Sequence, residues 1–331
     1  MNKILILGSN SFSGNHLVNF LIEKDMKVIG CSLSAESPKR FNTVLNEGMK
    51  KRKNFIFHRI NINKNFKKLK VIIKKYKPEI IVDFLGQGMV DESWQYPELT
   101  FNTNVIGKIK LYDFLKKEKF LKKYIKISTP EVFGSSKIKS SNFDQYNPST
   151  PYALSHSTIE KYLLLINKQF SFPVIIARFA NFYGPYQKLY RVIPLAIHKA
   201  SKKEIFKLHG GGSSRRSFIF SKDFCNGIFK MIKKGKPGEF YQFSSKEYNS
   251  IKEIVNMIYK KYKLDPKKYI KNVSDRPGKD KDYKINDRET RKKLKWNNNY
   301  NLQMGVNETI EWYKSYENQF DVKDEKFIIK K

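Results

Sequence analysis

Six five-residue apolar runs recur through the first 180 residues, and most of the gaps between them carry helical spacing. The runs are Lys3–Leu7, Lys27–Cys31, Phe55–Arg59, Ile80–Phe84, Tyr124–Ser128 and Val174–Arg178. The helical stretches are Gly14–Lys24, Phe66–Tyr76, Leu99–Glu118 and Tyr152–Phe170. Strands that are apolar almost throughout must be covered on both faces, and strands separated by helices pair in parallel. The pattern predicts an α/β fold, a doubly wound parallel sheet that binds ligands outside the carboxyl ends of its strands. From about Asn181 the pattern changes. A Gly- and Arg-rich loop, Gly210–Arg216, is followed by a helical stretch Ser250–Lys263 and a Pro-Gly turn at Arg276-Pro277-Gly278.

Gly8-Ser9-Asn10-Ser11-Phe12-Ser13-Gly14 joins the first strand to the first helix. A loop at that place has to turn tightly and bring its backbone against a pyrophosphate, which then sits at a helix N-terminus. Gly8, Asn10, Ser11, Phe12 and Gly14 are therefore candidate dinucleotide ligands, and the fold is read as Rossmann-like. Residues 1–180 form the dinucleotide-binding domain, with segments returning to it from about 222–245. Residues 181–221 and 246–331 form a smaller α/β substrate-binding domain. The charged end, Glu317–Lys331, is expected to fray.

The second strand ends in Gly30-Cys31-Ser32-Leu33-Ser34, with no Asp or Glu to meet a ribose 2′-OH. Ser32 and Ser34 are candidate donors there, and Lys39-Arg40 just beyond tilt the cofactor from NAD toward NADP. The cofactor site is assigned further to Asn61, Ile62, Leu85, Gln87 and Asn104.

Thr129 and Glu131 follow the Tyr124–Ser128 run at its carboxyl end. Tyr152 opens a helix introduced by Ser149-Thr150-Pro151. A tyrosine has an ordinary pKa of about 10 and needs a nearby cation to act as a base. The residue four positions on shares its helical face and can supply one. Lys161, nine positions on, points to the opposite face.

The net charge is +34, from 65 Lys and Arg against 31 Asp and Glu. With no paired-aromatic RNA-binding motif, this predicts a solvated Lys-rich surface that attracts anionic substrates, and no nucleic-acid partner. Cys31 and Cys225 give neither a disulfide framework nor a metal-ligand spacing, so no metal is expected. The N-terminus has no signal-peptide pattern, and no apolar run reaches the ~18–20 residues of a membrane span, so a cytoplasmic protein is expected.

Taken in order, Gly8–Gly14, Ser128–Gly134, Tyr152–His156, Arg178–Pro185, Arg215–Asp223 and Asp275–Asp280 resemble the extended short-chain dehydrogenase/reductases of the nucleotide-sugar 4,6-dehydratase group. The resemblance implies an internal redox cycle on a nucleotide-diphosphate hexose with a retained NAD or NADP. Tyr152 would take the O4 proton while hydride leaves C4, Thr129 would hold that oxygen, and Glu131 would remove the C5 proton as water departs from C6. It also implies that Gln87, Asn181, Arg191, Arg216, Arg276 and Lys279 bind the substrate, and that the chain forms a homodimer or dimer of dimers through the helices at Leu99–Glu118 and Tyr152–Phe170. Two positions depart from the family. The Asp that precedes the Glu in dTDP-glucose dehydratases, a Ser in GDP-mannose dehydratases, is Pro130 here. The family Lys four residues after the Tyr is His156, which could be cationic near pH 6.5 and touch the nicotinamide ribose. A 4-epimerase or decarboxylase on the same scaffold is the neighbouring alternative, and a non-catalytic NAD(P)- or RNA-binding protein a more distant one.

Overall fold

The computed structural model describes residues 3–46, 49–139, 145–275 and 283–329. Seven strands form one sheet: β1 (Ile4–Leu7), β2 (Val28–Ser32), β3 (Phe55–Arg59), β4 (Ile80–Asp83), β5 (Lys123–Ser128), β6 (Val174–Phe179) and β7 (Phe240–Phe243). They lie side by side in the order β7-β6-β5-β4-β1-β2-β3, every neighbouring pair parallel. The order reverses between β1 and β4. Successive connections leave on opposite faces there, and a crevice opens above the strand ends.

The two-residue period of each strand divides its side chains between two cores. Ile4 and Ile6 of β1 pack with Leu17, Val18 and Leu21 of α1 (Phe12–Glu23) and with Phe224, Ile228 and Met231 of α6 (Ser221–Lys234). Leu5 and Leu7 face the other way. They share a core with α2 (Phe66–Tyr76), α3 (Gly107–Leu115) and α4 (Pro151–Phe170), through Leu69, Leu111 and Leu163. The stretch read as one helix over Leu99–Glu118 is broken by a π-helical turn, Asn102–Ile106, immediately before α3. Such turns re-aim side chains out of the regular helical register.

A third core gathers Ile193 and Ile197 of α5 (Val192–Ser201), Ile254 and Ile258 of α7 (Ile251–Lys261), and Val306 and Ile310 of α8 (Leu302–Tyr316). Ser250 and Glu253 close a reciprocal capping box on α7. Ile285, Leu294 and Trp296, though late in the chain, pack into the first sheet core, and the Trp296 indole N–H donates to the Asp223 carbonyl at 3.1 Å. The C-terminal end does not fray over its described length. Phe320 is buried in the third core, Asp321 caps a 3₁₀ turn at Val322–Glu325, and Arg40 pairs with Asp324 at 3.2 Å. An aromatic anchor and opposite charges hold a segment that composition alone marks as loose.

Candidate active site

One cavity of about 1480 Å³ runs along the carboxyl ends of the strands. That exceeds the ~300–1,000 Å³ of a typical single-ligand pocket, so it has room for a dinucleotide and a second ligand end to end. Among the described residues no cluster of three or more His, Cys, Asp and Glu side chains could hold a metal ion. No described helix is long and apolar enough to cross a membrane.

The β1–α1 loop forms one end. Gly8 has φ +81°, and a Cβ there would lie 3.0 Å from the Phe84 carbonyl carbon. A Cβ on Gly14 would lie 2.2 Å from the Gly8 carbonyl oxygen, so only Gly lets the helix start this close to the turn. Ser11 is the N-cap of α1. Its Oγ accepts from the Gly14 N–H at 3.0 Å and donates to the Gly8 carbonyl at 2.7 Å. The Asn10 amide donates to the Ser34 carbonyl at 2.9 Å and ties the loop to the end of β2. Gly8, Asn10, Ser11 and Phe12 line the cavity, as do Ser32, Ser34, Asn61, Ile62, Leu85 and Gln87. Gly14 and Asn104 are not on its wall. Asn104 instead clamps the loop after β4: its Oδ1 accepts from the Gln87 N–H at 2.8 Å, and its Nδ2 donates to the Gln87 carbonyl and to Ser155 Oγ, each at 3.1 Å. Asn104 sits in the π-helical turn, whose widened register points it at that loop. Lys39 and Arg40 are not on the wall either. Arg40 is held by Asp324, and its carbonyl accepts from the Trp312 indole at 3.2 Å, so it is not poised over a ribose phosphate.

At the centre, Thr129, Glu131, Tyr152 and His156 line the same cavity. Thr129 caps a 3₁₀ turn, Pro130–Phe133, accepting from the Glu131 N–H at 3.2 Å, and so fixes where the carboxylate emerges. Thr150 caps α4 by accepting from the Ala153 N–H at 3.1 Å, with Pro151 in the first turn. That places Tyr152 at the helix mouth, where its backbone N–H donates to Ser93 Oγ at 3.2 Å. Burial and the Glu131 charge push the Tyr152 phenol up. A hydrogen bond from Thr129 and the charge of Arg191 draw it back toward ionisation. The hydroxyl, the carboxylate and the phenol thus converge, each within electrostatic reach of Tyr152.

His156 is not the cation expected at this place. It is buried, its ring lies edge-on to Tyr152 with centroids 4.7 Å apart, and its Nδ1 shares a 3.2 Å hydrogen bond with Ser128 Oγ. Burial first, then the neighbouring ammoniums of Lys126 and Lys108, hold its pKa well below the ordinary imidazole value. The ring is neutral at physiological pH.

Beneath it lies a charged cluster the sequence reading missed. Asp83, at the end of β4, is fully buried. It accepts from Lys108 through both carboxylate oxygens, from the Tyr124 hydroxyl at 2.7 Å and from the Leu85 N–H at 3.0 Å. Lys126, its register partner on β5, stands 4.0 Å away. Burial works to raise the Asp83 pKa, but the two ammoniums and these hydrogen bonds outweigh it and keep the carboxylate ionised. A signal was present: a Lys amid Tyr124, Ile125 and Ile127, in a strand covered on both faces, is out of place unless paired or functional.

Asn181, Arg191 and Arg216 also line the cavity, the last with only 8% of its surface exposed. Arg276 and Lys279 lie outside the described residues. The C-terminal segment adds Lys323, Asp324, Phe327 and Ile328 to the wall, with Phe327 edge-on to Tyr190 at 5.3 Å.

The family described as GDP-mannose 4,6 dehydratase matches residues 5–309. The chain belongs to this family. It is thereby one of the extended short-chain dehydrogenase/reductases of the nucleotide-sugar 4,6-dehydratase group. Its relatives within that dehydratase group include the human dTDP-D-glucose 4,6-dehydratase, 29% identical over 94% of this chain and 90% of the relative. The crystal structure of the Bacillus anthracis dTDP-glucose 4,6-dehydratase in complex with NAD superposes with a TM-score of 0.84 at 28% identity, covering 96% of this chain and 98% of that one. A UDP-glucose 4-epimerase from Thermotoga maritima matches with TM-score 0.85 at 22% identity, over 95% and 99% of the two chains. That last likeness concerns the fold alone, so the residues at the cavity centre have to distinguish a dehydratase from an epimerase.

Proposed function

We propose that the chain converts a GDP- or dTDP-linked hexose or N-acetylhexosamine to its 4-keto-6-deoxy form, with NAD or NADP kept in the site. The observation that carries this reading is Glu131 on the wall that bears Thr129 and Tyr152. Oxidation and reduction at C4 alone need no second base, whereas loss of water from C5–C6 does.

The β1–α1 turn fits a dinucleotide. It is a cradle that a Cβ at Gly8 or Gly14 would fill, and it opens at a helix N-terminus. A dinucleotide held there would supply the hydride acceptor for oxidation at C4 and the hydride donor for reduction at C6. The protein handles the protons. Tyr152, with Thr129 bonded to it, takes the O4 proton, and the ketone so formed acidifies C5–H. Glu131 removes that proton. Pro130, beside it on the wall, has none to give, so Glu131 returns its own to the departing hydroxyl and C6–O breaks. With hydride at C6 and a solvent-derived proton at C5, the net change is loss of one water. Arg191 and Arg216, beside Asn181, suit a diphosphate through guanidinium forks.

NADP is favoured modestly over NAD because the wall after β2 offers Ser32, Ser34 and Ser37 and no carboxylate. The ratio of the two dissociation constants decides it. A homodimer through α4 is favoured by exposed apolar side chains there and on the adjoining π-helical turn: Ile106 46%, Leu154 46% and Leu165 65%. Sedimentation of Leu165→Glu would then give a monomer.

The direct test incubates the cofactor-loaded protein with dTDP-, GDP-, UDP- and CDP-hexoses and weighs the products. One sugar nucleotide should lose one water. Recovery of all of them unchanged, or of a C4 epimer of equal mass, contradicts the reading.

A further inference from the structure

We infer that Lys126, on β5, supplies the ammonium that helix α4 lacks at His156, serving as the positioning cation for Tyr152 and for the bound dinucleotide. The inference rests on the functional reading above.

Three observations carry it. First, the cluster beneath the site holds two lysine side chains and one carboxylate, and Lys108 takes both Asp83 oxygens. Second, Lys126 is left 4.0 Å from the nearer of them, beyond hydrogen-bond length. Only 4% of its side chain is exposed, and it lines the cavity. A nearly buried ammonium without a close carboxylate is costly unless something in the cavity accepts from it. Third, Tyr124, Lys126 and Ser128 alternate onto the face of β5 that meets α4, and Ser128 holds His156, whose ring abuts Tyr152. Lys126 acts on His156, and the His156 ring abuts Tyr152, so Lys126 stands one ring away from the phenol. The groups facing Lys126 are Asp83, Lys108, Glu160 and His156; those facing Tyr152 are Glu131, Thr129, Arg191 and His156. Within this set Asp83 is engaged by Lys108. Burial lowers the pKa of both lysines, that of Lys108 to about 7, while the carboxylates of Asp83 and Glu160 favour the charged form of Lys126.

The test compares the wild type, Lys126→Met, Lys126→Arg and the double variant Lys126→Met/His156→Lys. Two readouts are followed: the dissociation constant of oxidised NAD and NADP by calorimetry, which needs no sugar, and the pH profile of kcat on whichever sugar nucleotide turns over. Lys126→Met should fold, because Asp83 and Lys108 remain as a balanced pair. It should weaken dinucleotide binding about tenfold or more and move the acid limb of kcat upward by about 1–3 pH units, as loss of a nearby opposite charge does. Lys126→Arg, and the double variant that restores the charge from the helix, should recover most of both effects. Unchanged binding and an unchanged profile in Lys126→Met overturn the inference, as does a double variant no better than Lys126→Met. Should Lys126→Met not fold, the double variant decides on its own: dinucleotide binding near wild type supports the inference, and its loss overturns it. If the wild type binds dinucleotide and turns over no sugar, the functional reading fails while the binding arm still settles Lys126.

Discussion

Two sets of buried charges lie about one helical turn apart beneath α4, and they differ in one number. Near its middle, Glu160 meets Arg178 of β6 and the Tyr146 hydroxyl, one anion to one cation, both side chains fully buried and neither lining the cavity. One turn nearer the helix start, Asp83 serves Lys108 and Lys126, one anion to two cations, and Lys126 opens onto the cavity. Charge balance without access to a ligand fastens a helix to a strand. Surplus charge with access can act on what binds.

Breaking either set separates these roles. The upper limit is set by the phenol itself: Tyr152→Phe should lower kcat by about 10³-fold, the middle of the range for a positioned acid–base group, with dinucleotide binding nearly kept. A thermal melt and a kinetic assay then read the two clusters separately. Glu160→Ala leaves a buried guanidinium without its carboxylate, which costs about 3–5 kcal/mol of stability. Its melting temperature should drop steeply while kcat per folded molecule changes little. Lys126→Met should show the opposite pattern, a melting temperature equal to the wild type or higher, because it removes the repulsion between two ammoniums. A steep loss of stability in Lys126→Met would make the two clusters alike and end the contrast.

A smaller effect comes from a third, partly buried group. His16, on α1, bonds the Pro185 carbonyl through Nε2 at 2.9 Å, and desolvation pulls its pKa down to about 4. The unfolded chain, with imidazole at its ordinary value, binds more protons between pH 4 and 6.5. Stability from this group is therefore full above pH 6.5 and lost as pH falls toward 4. His16→Gln keeps an N–H for Pro185 and cannot titrate. Its melting temperature should fall less between pH 7 and 4.5 than that of the wild type.

The sheet was legible because its code is local. A buried parallel strand needs five apolar residues and a turn, and each of the six runs became a strand within one residue of its expected bounds at either end. The Gly8–Gly14 turn was legible for the same reason, since its glycines answer a constraint seven residues wide. Lys126 and Asp83 escaped notice because their pairing exists only once β4 and β5 lie side by side, 43 positions apart in the chain. The sequence left the charge of His156 open because imidazole charge depends on burial and on lysines contributed by other elements. The tilt toward NADP drawn from Lys39-Arg40 loses its Arg40 half because the partner of Arg40, Asp324, comes from the opposite end of the sequence.

The central claim, that Thr129, Glu131 and Tyr152 act on one hexose to expel water, meets its most direct test in heavy water. Wild-type protein holding its dinucleotide should convert its sugar nucleotide into a product lighter by one water and carrying a single deuterium at C5. Glu131→Gln should stall with neither water lost nor deuterium gained at C5. A Glu131→Gln protein that still yields the deuterated 4-keto-6-deoxy sugar at the wild-type rate would contradict the account.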